Sequence, residues 1–472
     1  MDPYRRLAWH VLFTLICFLL AWAEPSSAAD DAGTAAERKS LNRDPDYVII
    51  KGELLRNLVG QRISELGLYA FVQGAVKPMT FQIDECDPRG RLVCPRGSHP
   101  ETDSDAGVFD ENDELVFMAA DSGDRTLPDA RPSGWKKAEE IELLDPVTGG
   151  RAWCYLVLTA GPPARSGTDY IDYFPDEDKY VALYNTGVYM RDGIHRADYN
   201  CLLYPPAAGG TGVDIVDRLK IRIEIRLKVP PSTIRFDEDD TEVETLSYID
   251  GPIRIVRRNQ LYLRVPFLTI PFGGSHDVIV YRDTNDTPIE VTVPKGASWL
   301  IRSLAIRLGT DLAPAAVGML WFNTSNPEGA IIDGIMSEQE KHLDLSHPEE
   351  DMDSYWQVIA GPQGAMMRRG HYNPGMKGIL KASINYLDEQ NTPDPPEEFP
   401  GQIGHSILNL SITRVHPGTY TFMQQWYHPH HFYPFRNGST DRYMNIRNRP
   451  LTFVTEHGKG DVGSAAAGGP RP

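Results

Sequence analysis

The chain has 472 residues, 47 basic against 65 acidic, and a net charge of −18. Hydrophobic residues make up 41 % and charged residues 24 %, which is a globular balance and excludes a disordered chain. The surplus of acid excludes a nucleic-acid binder, because a phosphate backbone calls for a basic footprint.

The chain opens with Arg5 and Arg6, then an apolar run from Val11 to Ala23. A positive end, a short apolar stretch and small residues beyond it describe a secretory signal peptide over residues 1–29. Ala21-Trp22-Ala23 and Ser27-Ala28-Ala29 both fit as cleavage sites. The run is short for a membrane span, and no later segment is long and apolar enough for one. The expected location is periplasmic or extracellular. Residues 30–45 are small, polar and charged, and are expected to form a flexible leader.

Tyr47-Val48-Ile49-Ile50 marks the expected start of ordered structure, and Leu58, Ile63 and Leu66 at helical spacing suggest a short helix within Arg56–Leu68. From Tyr69 the signals become β. The 37 prolines and 41 glycines fall between short hydrophobic runs, as in a chain of many strands and turns. Glu140–Leu144 and Ala152–Leu158 flank Asp145-Pro146-Val147-Thr148-Gly149-Gly150 and read as a hairpin.

The clearest element runs from Arg218 to Lys228. Leu219, Ile221, Ile223, Ile225 and Leu227 alternate with charged residues, giving one apolar and one charged face. Pro230-Pro231 ends it. The charged face reads as a solvated face paired with acidic neighbours, or as a docking surface for an anionic polymer. Further strands are expected at 253–256, 261–265, 278–281, 289–293, 299–308, 405–414 and 420–425. Asp237-Glu238-Asp239-Asp240 is the expected boundary between an N-terminal β domain, 46–236, and a C-terminal β domain, 237–457. Residues 458–472 are Gly/Ala-rich and are expected to be a disordered tail. The fold class is mainly β, large antiparallel β-sandwiches with a few short helices.

Four cysteines lie beyond the signal peptide: Cys86, Cys94, Cys154 and Cys201. An even count in an exported chain favours disulfides, with Cys86–Cys94 across the turn Asp87-Pro88-Arg89-Gly90 and Cys154–Cys201 by default. Other connectivities stay open, and the CxxC spacing of a zinc site is absent.

Acids crowd the segment Glu101, Asp103, Asp105, Asp110, Asn112, Asp113 and Glu114. Closely spaced oxygens on a turning loop suit calcium, with Asp103, Asp105, Asp110, Asn112 and Asp113 as candidate ligands. The EF-hand pattern is not met, because its twelfth position would be Asn112. A solvated acidic turn is the other reading. Downstream, His428-Pro429-His430-His431 lies in an aromatic setting. In an extended chain His428 and His430 share a face and could hold a transition metal, while His431 points away. The same aromatics could stack on sugar rings. His195, with Asp192 close by, is a candidate base or an ordinary loop histidine. GxSxG and P-loop motifs are absent.

Phe81-Gln82-Ile83-Asp84-Glu85 and the run from Phe109 to Ala119 resemble a pattern of secreted bacterial β-sandwich proteins. Asp250-Gly251-Pro252-Ile253-Arg254-Ile255-Val256 is similar to a strand of galactose-mutarotase-like supersandwich domains. The resemblance implies a large antiparallel β-sandwich, a secreted setting and an association with polysaccharide. It carries over no catalytic residues. The leading expectation is an exported, non-enzymatic binding or scaffold protein with a polysaccharide or envelope-protein partner. The alternatives are a carbohydrate-active lyase, hydrolase or epimerase on the same scaffold, and a His-rich metal-binding protein.

Overall fold

The computed structural model describes residues 37–191, 194–195, 201–265, 267–296, 299–346, 355–372, 378–390, 392, 403–435 and 438–462. The expected signal peptide lies outside the described residues, as does Asp192. The fold is mainly β, and every strand pair is antiparallel. Among the described residues, Ser439–Asn448 is the one α-helix, and the other helical segments are single 3₁₀ turns.

The described residues form six sheets, among them a four-stranded one of Ile171–Phe174, Lys179–Ala182, Thr186–Val188 and Cys201–Leu203, and four others build the main layers. A ten-stranded sheet runs in the order Thr241–Asp250, Arg254–Val265, His276–Tyr281, Thr284–Val293, Gly418–Tyr427, Gly364–Tyr372, Trp356–Gly361, Leu320–Asn323, Ala330–Ile331, with Leu268–Pro271 also paired to Arg254–Val265. One face packs on a five-stranded sheet of Thr233–Phe236, Val216–Leu227, Ile301–Leu312, His405–Ile412 and Leu380–Leu387. Ile223, Ile306 and Leu408 from the smaller sheet meet Ile255, Val280, Trp321 and Trp426 from the larger in one buried core. The other face of the large sheet carries Val256, Ile279 and Tyr427, which pack with Tyr47, Val116 and the helix residues Tyr443 and Ile446. Beneath lies a three-stranded sheet, Tyr47–Lys51, Glu114–Met118 and Phe81–Asp84. It shares a further core with a six-stranded sheet that contains Leu66–Val72, Trp135–Leu144 and Arg151–Thr159.

Several sequence features behave as their periodicity dictates. The alternating segment forms strand Val216–Leu227. The hairpin forms between Trp135–Leu144 and Arg151–Thr159, with Ile141 opposite Cys154. Pairing crosses residue 236 in both directions. Val216–Leu227 pairs with Ile301–Leu312, and Thr452–Thr455 pairs with Trp135–Leu144.

Other features differ from expectation. Residues 56–68 form 3₁₀ turns at Arg56–Leu58 and Ile63–Glu65, followed by a strand from Leu66. Gly60, at φ +83°, interrupts any continuous helix. The charged face of Val216–Leu227 is not simply solvated. Lys220 and Asp311 are both wholly buried, 3.0 Å apart, and Arg218 and Arg222 reach Asp239 at 2.6 Å and Glu238 at 3.4 Å. The acidic segment expected as a boundary thus serves this strand as a set of counter-charges. Gly458–Asp461, at the start of the expected tail, is a strand paired with Thr452–Thr455, and Val462 is buried behind it.

The described residues contain no disulfide. Cys86 faces Leu92 across its turn, which leaves Cys94 two positions off register. Diagonal neighbours of this kind sit about 7–8 Å apart, beyond the usual span of a disulfide. Cys154 points into the core between the three- and six-stranded sheets. Cys201 begins a short strand in a different sheet, opposite Val188.

Candidate active site

Two register relationships build a polar site at the seam of the layers. In the three-stranded sheet Tyr47 pairs with Met118. Antiparallel pairing then places the residues before Tyr47 beside those after Met118, and the Ala119 amide donates to the Asp46 carbonyl at 2.9 Å. In the large sheet Thr284 pairs with Tyr427. The residues after Tyr427 therefore run beside the Arg282-Asp283 connection, and the His428 amide donates to the Asp283 carbonyl at 2.8 Å.

His430 bridges the two halves. Its Nδ1 lies 2.8 Å from Asp283 Oδ1, and its Nε2 lies 3.3 Å from Asp44 Oδ2. Tyr184 stacks on the imidazole at 3.9 Å. Arg282 donates to the Asp44 carbonyl at 2.8 Å and from Nε to Asp283 Oδ2 at 2.6 Å. Arg442, from the helix, reaches Asp44 Oδ2 at 3.2 Å. The guanidinium of Arg282 also lies over the rings of Tyr184 and Tyr170. Tyr170 in turn donates to Asp121 Oδ1 at 2.8 Å. Lys39 Nζ closes the array by donating to the carbonyls of Ala120 and Ser122 at 2.7 and 2.8 Å.

Lys39, Ala120, Asp121 and Ser122 of this array line a cavity of about 760 Å³ together with Phe71, Gln73, Lys77 and Asp124, while Asp44, Arg282 and His430 lie behind its wall. That is the size of a small-ligand site. The surrounding charges pull Asp44 and Asp121 in opposite directions. Hydrogen bonding to His430 holds Asp44 well below the ordinary carboxylate range, with Arg282 and Arg442 adding to the pull against burial. Burial pushes the Asp121 carboxyl up, and the negative charge of Asp44 pushes the same way, against Tyr170, Arg282 and Lys39. Burial lowers His430, but its hydrogen bonds to Asp283 and Asp44 outweigh it and raise the imidazole overall.

The expected site residues fall in three places. His430 is in the array just described. His428 is wholly buried among other groups, with Tyr204 Oη 3.5 Å from its Nδ1 and Tyr180 nearby. His431 is exposed and in the left-handed region, φ +48°. The two histidines expected to share a metal thus face different surroundings, His430 between two carboxylates and His428 against two tyrosines. The acidic loop uses its oxygens on its own backbone. Asp113 is buried and accepts the amides of Cys86 and Asp110 at 3.1 and 3.0 Å, and burial pushes it up to about 7. Asp110 accepts the amides of Asn112 and Asp113, and Asp103 accepts that of Ser104. Asp105 is exposed. His195 lies on the short strand Ile194–His195.

Sequence reasoning missed Asp44, Asp121, Asp283, Arg282 and Tyr184. Asp44 lies in the segment expected to be flexible, and the others carry no motif. The histidine run was the only local signal at the site, and it marked one of the residues that matter.

No family model matches the sequence, and no curated protein matches it. Among solved structures the chain is similar to an alpha-mannosidase from Enterococcus faecalis V583, at 9 % identity and TM-score 0.42, over 91 % of this chain and 45 % of that one. It is also similar to a protein in the glycosyl hydrolase family 38 from Enterococcus faecalis, at 8 % identity and TM-score 0.43, over 89 % of this chain and 47 % of that one. The chain spans less than half the length of either. Both neighbours are by name carbohydrate-active proteins, so the expected non-enzymatic binding or scaffold protein has no counterpart in either of them. No helix among the described residues is long and apolar enough to cross a membrane.

Proposed function

We propose that the chain is a carbohydrate-active enzyme that hydrolyses a glycosidic bond at the Asp44–Asp121 array. One observation carries this reading. Two carboxyl groups within electrostatic reach of one another are shifted in opposite directions, Asp121 up and Asp44 down. Such a split separates a proton donor from a standing carboxylate, which is what glycoside hydrolysis requires. Asp121 supplies the proton to the leaving oxygen. Asp44 stays ionised behind the cavity wall, where its negative charge helps hold the proton on Asp121. The water that adds to the anomeric carbon returns a proton to Asp121. The cavity beside Asp121 presents Gln73, Lys77, Asp124 and Thr80 as hydrogen-bonding groups, together with the ring of Phe71, a set suited to hydroxyls and apolar sugar faces. An exported, periplasmic or extracellular setting accompanies this reading, from the signal-like residues 1–29.

Reducing-sugar release from a panel of polysaccharides tests it. Wild-type protein should cleave at least one member. Asp121→Asn and Asp44→Asn should each lower kcat by roughly 10²–10⁴-fold while circular dichroism shows an intact fold. No release from any polysaccharide, or wild-type rates in both variants, overturns the reading.

A further inference from the structure

A second cluster lies on the six-stranded sheet, among residues that do not line the cavity. The last hairpin, Thr452–Thr455 and Gly458–Asp461, turns through Glu456 and His457 and pairs along Trp135–Leu144 at Thr452↔Leu144, Phe453↔Leu143 and Val454↔Glu142. That pairing brings the turn over Glu139, further along the same strand. His457 Nε2 lies 3.0 Å from Glu139 Oε1. The Asn57 amide donates to that same oxygen at 3.0 Å, and Asn57 Nδ2 donates to Glu456 Oε2 at 3.3 Å. One potential ligand atom from each of Glu139, Glu456 and His457 lies within 4.8 Å of the other two.

Glu139 is what sets the cluster apart from an ordinary surface group of acids. It is 0 % exposed, and its Oε2 is buried with no hydrogen-bond partner. A carboxylate oxygen left so is costly, and a bound cation is one way to satisfy it. Burial accordingly pushes the Glu139 carboxyl up, against the Asn57 amide and the charge of His457.

We propose that Glu139, Glu456 and His457 bind a first-row divalent cation of the zinc type, which staples the C-terminal hairpin to the six-stranded sheet. The donor set decides the class. One imidazole and two carboxylates suit Zn²⁺, whereas Ca²⁺ and Mg²⁺ take oxygen ligands. Ligand atoms about 2.0–2.1 Å from a tetrahedral Zn²⁺ stand roughly 3.3 Å apart. The 3.0 Å between His457 Nε2 and Glu139 Oε1 therefore needs only a small opening. Glu456 and His457 are exposed, so a cation reaches the site from solvent and water completes its coordination. Binding replaces any proton shared between His457 and Glu139, and that proton is released to solvent.

The test uses the full chain after dialysis against a chelator, titrated with ZnCl₂ by calorimetry and followed by thermal unfolding. Zn²⁺ should bind at one equivalent per chain through this site and raise Tm, while CaCl₂ and MgCl₂ should not bind it. Glu139→Gln and His457→Ala should each weaken Zn²⁺ binding by about tenfold or more. His431→Ala, at the exposed histidine of the other cluster, should leave it unchanged. His457 lies on an exposed turn, so its variant keeps the fold even where Glu139→Gln does not. No Zn²⁺ binding to the wild-type chain, or the same affinity in His457→Ala, overturns the proposal.

Discussion

Arg254 donates from Nε to Asp84 Oδ2 at 2.8 Å, with both side chains buried, and so ties the ten-stranded sheet to the three-stranded sheet beneath it. The same guanidinium reaches Glu114 Oε2 at 2.5 Å, and Lys51 Nζ meets the other oxygen of Glu114 at 2.8 Å. Gln82 completes the junction. Its Oε1 accepts the amides of Ile253 and Arg254, and its Nε2 donates to Asp84. Two cations and two carboxylates thus balance inside the seam. Arg254→Met leaves Asp84 buried without its counter-charge and should cost about 3–5 kcal/mol in urea unfolding. Adding Asp84→Asn to Arg254→Met should recover part of that loss, because the stranded charge is gone. A cost below about 1 kcal/mol for Arg254→Met would show that the seam does not depend on the pair.

That junction shows what was legible in the sequence. Phe81–Glu85, Phe109–Ala119 and Asp250–Val256 stood out as segments, and Gln82, Asp84, Glu114 and Arg254 within them form the junction. Strands such as Val216–Leu227 were legible because alternation and a terminating Pro-Pro pair are local signals. Their partners were not, because register is set by contacts far along the chain. His430 finds Asp283 147 positions away, and no local pattern marks that pairing. Composition also misled at Asp44. A polar, charged leader looks flexible until Arg43 is seen buried and bonded to Asp46 and Asp145 at 2.6 and 3.0 Å. An even cysteine count likewise says nothing about whether two thiols fall in register.

His430 should give the fold a measurable pH signature. Its pKa is raised in the fold, so the folded chain holds the proton more tightly than the unfolded one. The stability this supplies is fully present below the unfolded value near 6.5 and is lost as pH rises through the raised folded value. The difference in Tm between wild type and His430→Gln should therefore be largest in mildly acidic buffer and shrink in alkaline buffer. A difference that stays flat or grows with pH would rule out a protonated His430 between Asp44 and Asp283.

Gly123 links the fold to the site. A Cβ at this position would lie 2.1 Å from the Phe71 carbonyl oxygen. The residue cannot retreat, because its amide and carbonyl are both bonded to Trp153, at 2.8 and 2.9 Å. Gly123→Ala should push the 119–124 segment off its neighbours and cost about 1–3 kcal/mol. It should also displace Asp121 and Asp124 at the cavity and so lower any glycosidase rate. Gly134→Ala meets nothing within 4 Å and should stay within about 0.5 kcal/mol of wild type. Equal stabilities for the two variants, measured in the same urea series, would contradict the close approach.

His428, two residues before His430, should behave in the opposite sense. It is wholly buried against Tyr180 and Tyr204, and burial lowers its pKa to about 4, against the Asp283 charge. Between pH 6.5 and 4 the unfolded chain takes up a proton that the folded chain refuses. The unfolded state binds more protons there, so stability falls as pH falls. A gap of this size corresponds to roughly 3 kcal/mol lost by pH 4 from this one group. Carboxylates add their own acid sensitivity, so the informative quantity is the difference between wild type and His428→Gln at each pH. Wild type should lose more stability than His428→Gln between pH 6.5 and 4.5, and the two should run parallel above pH 7. Parallel curves across the whole range would mean that His428 takes up its proton in the fold as readily as in the unfolded chain.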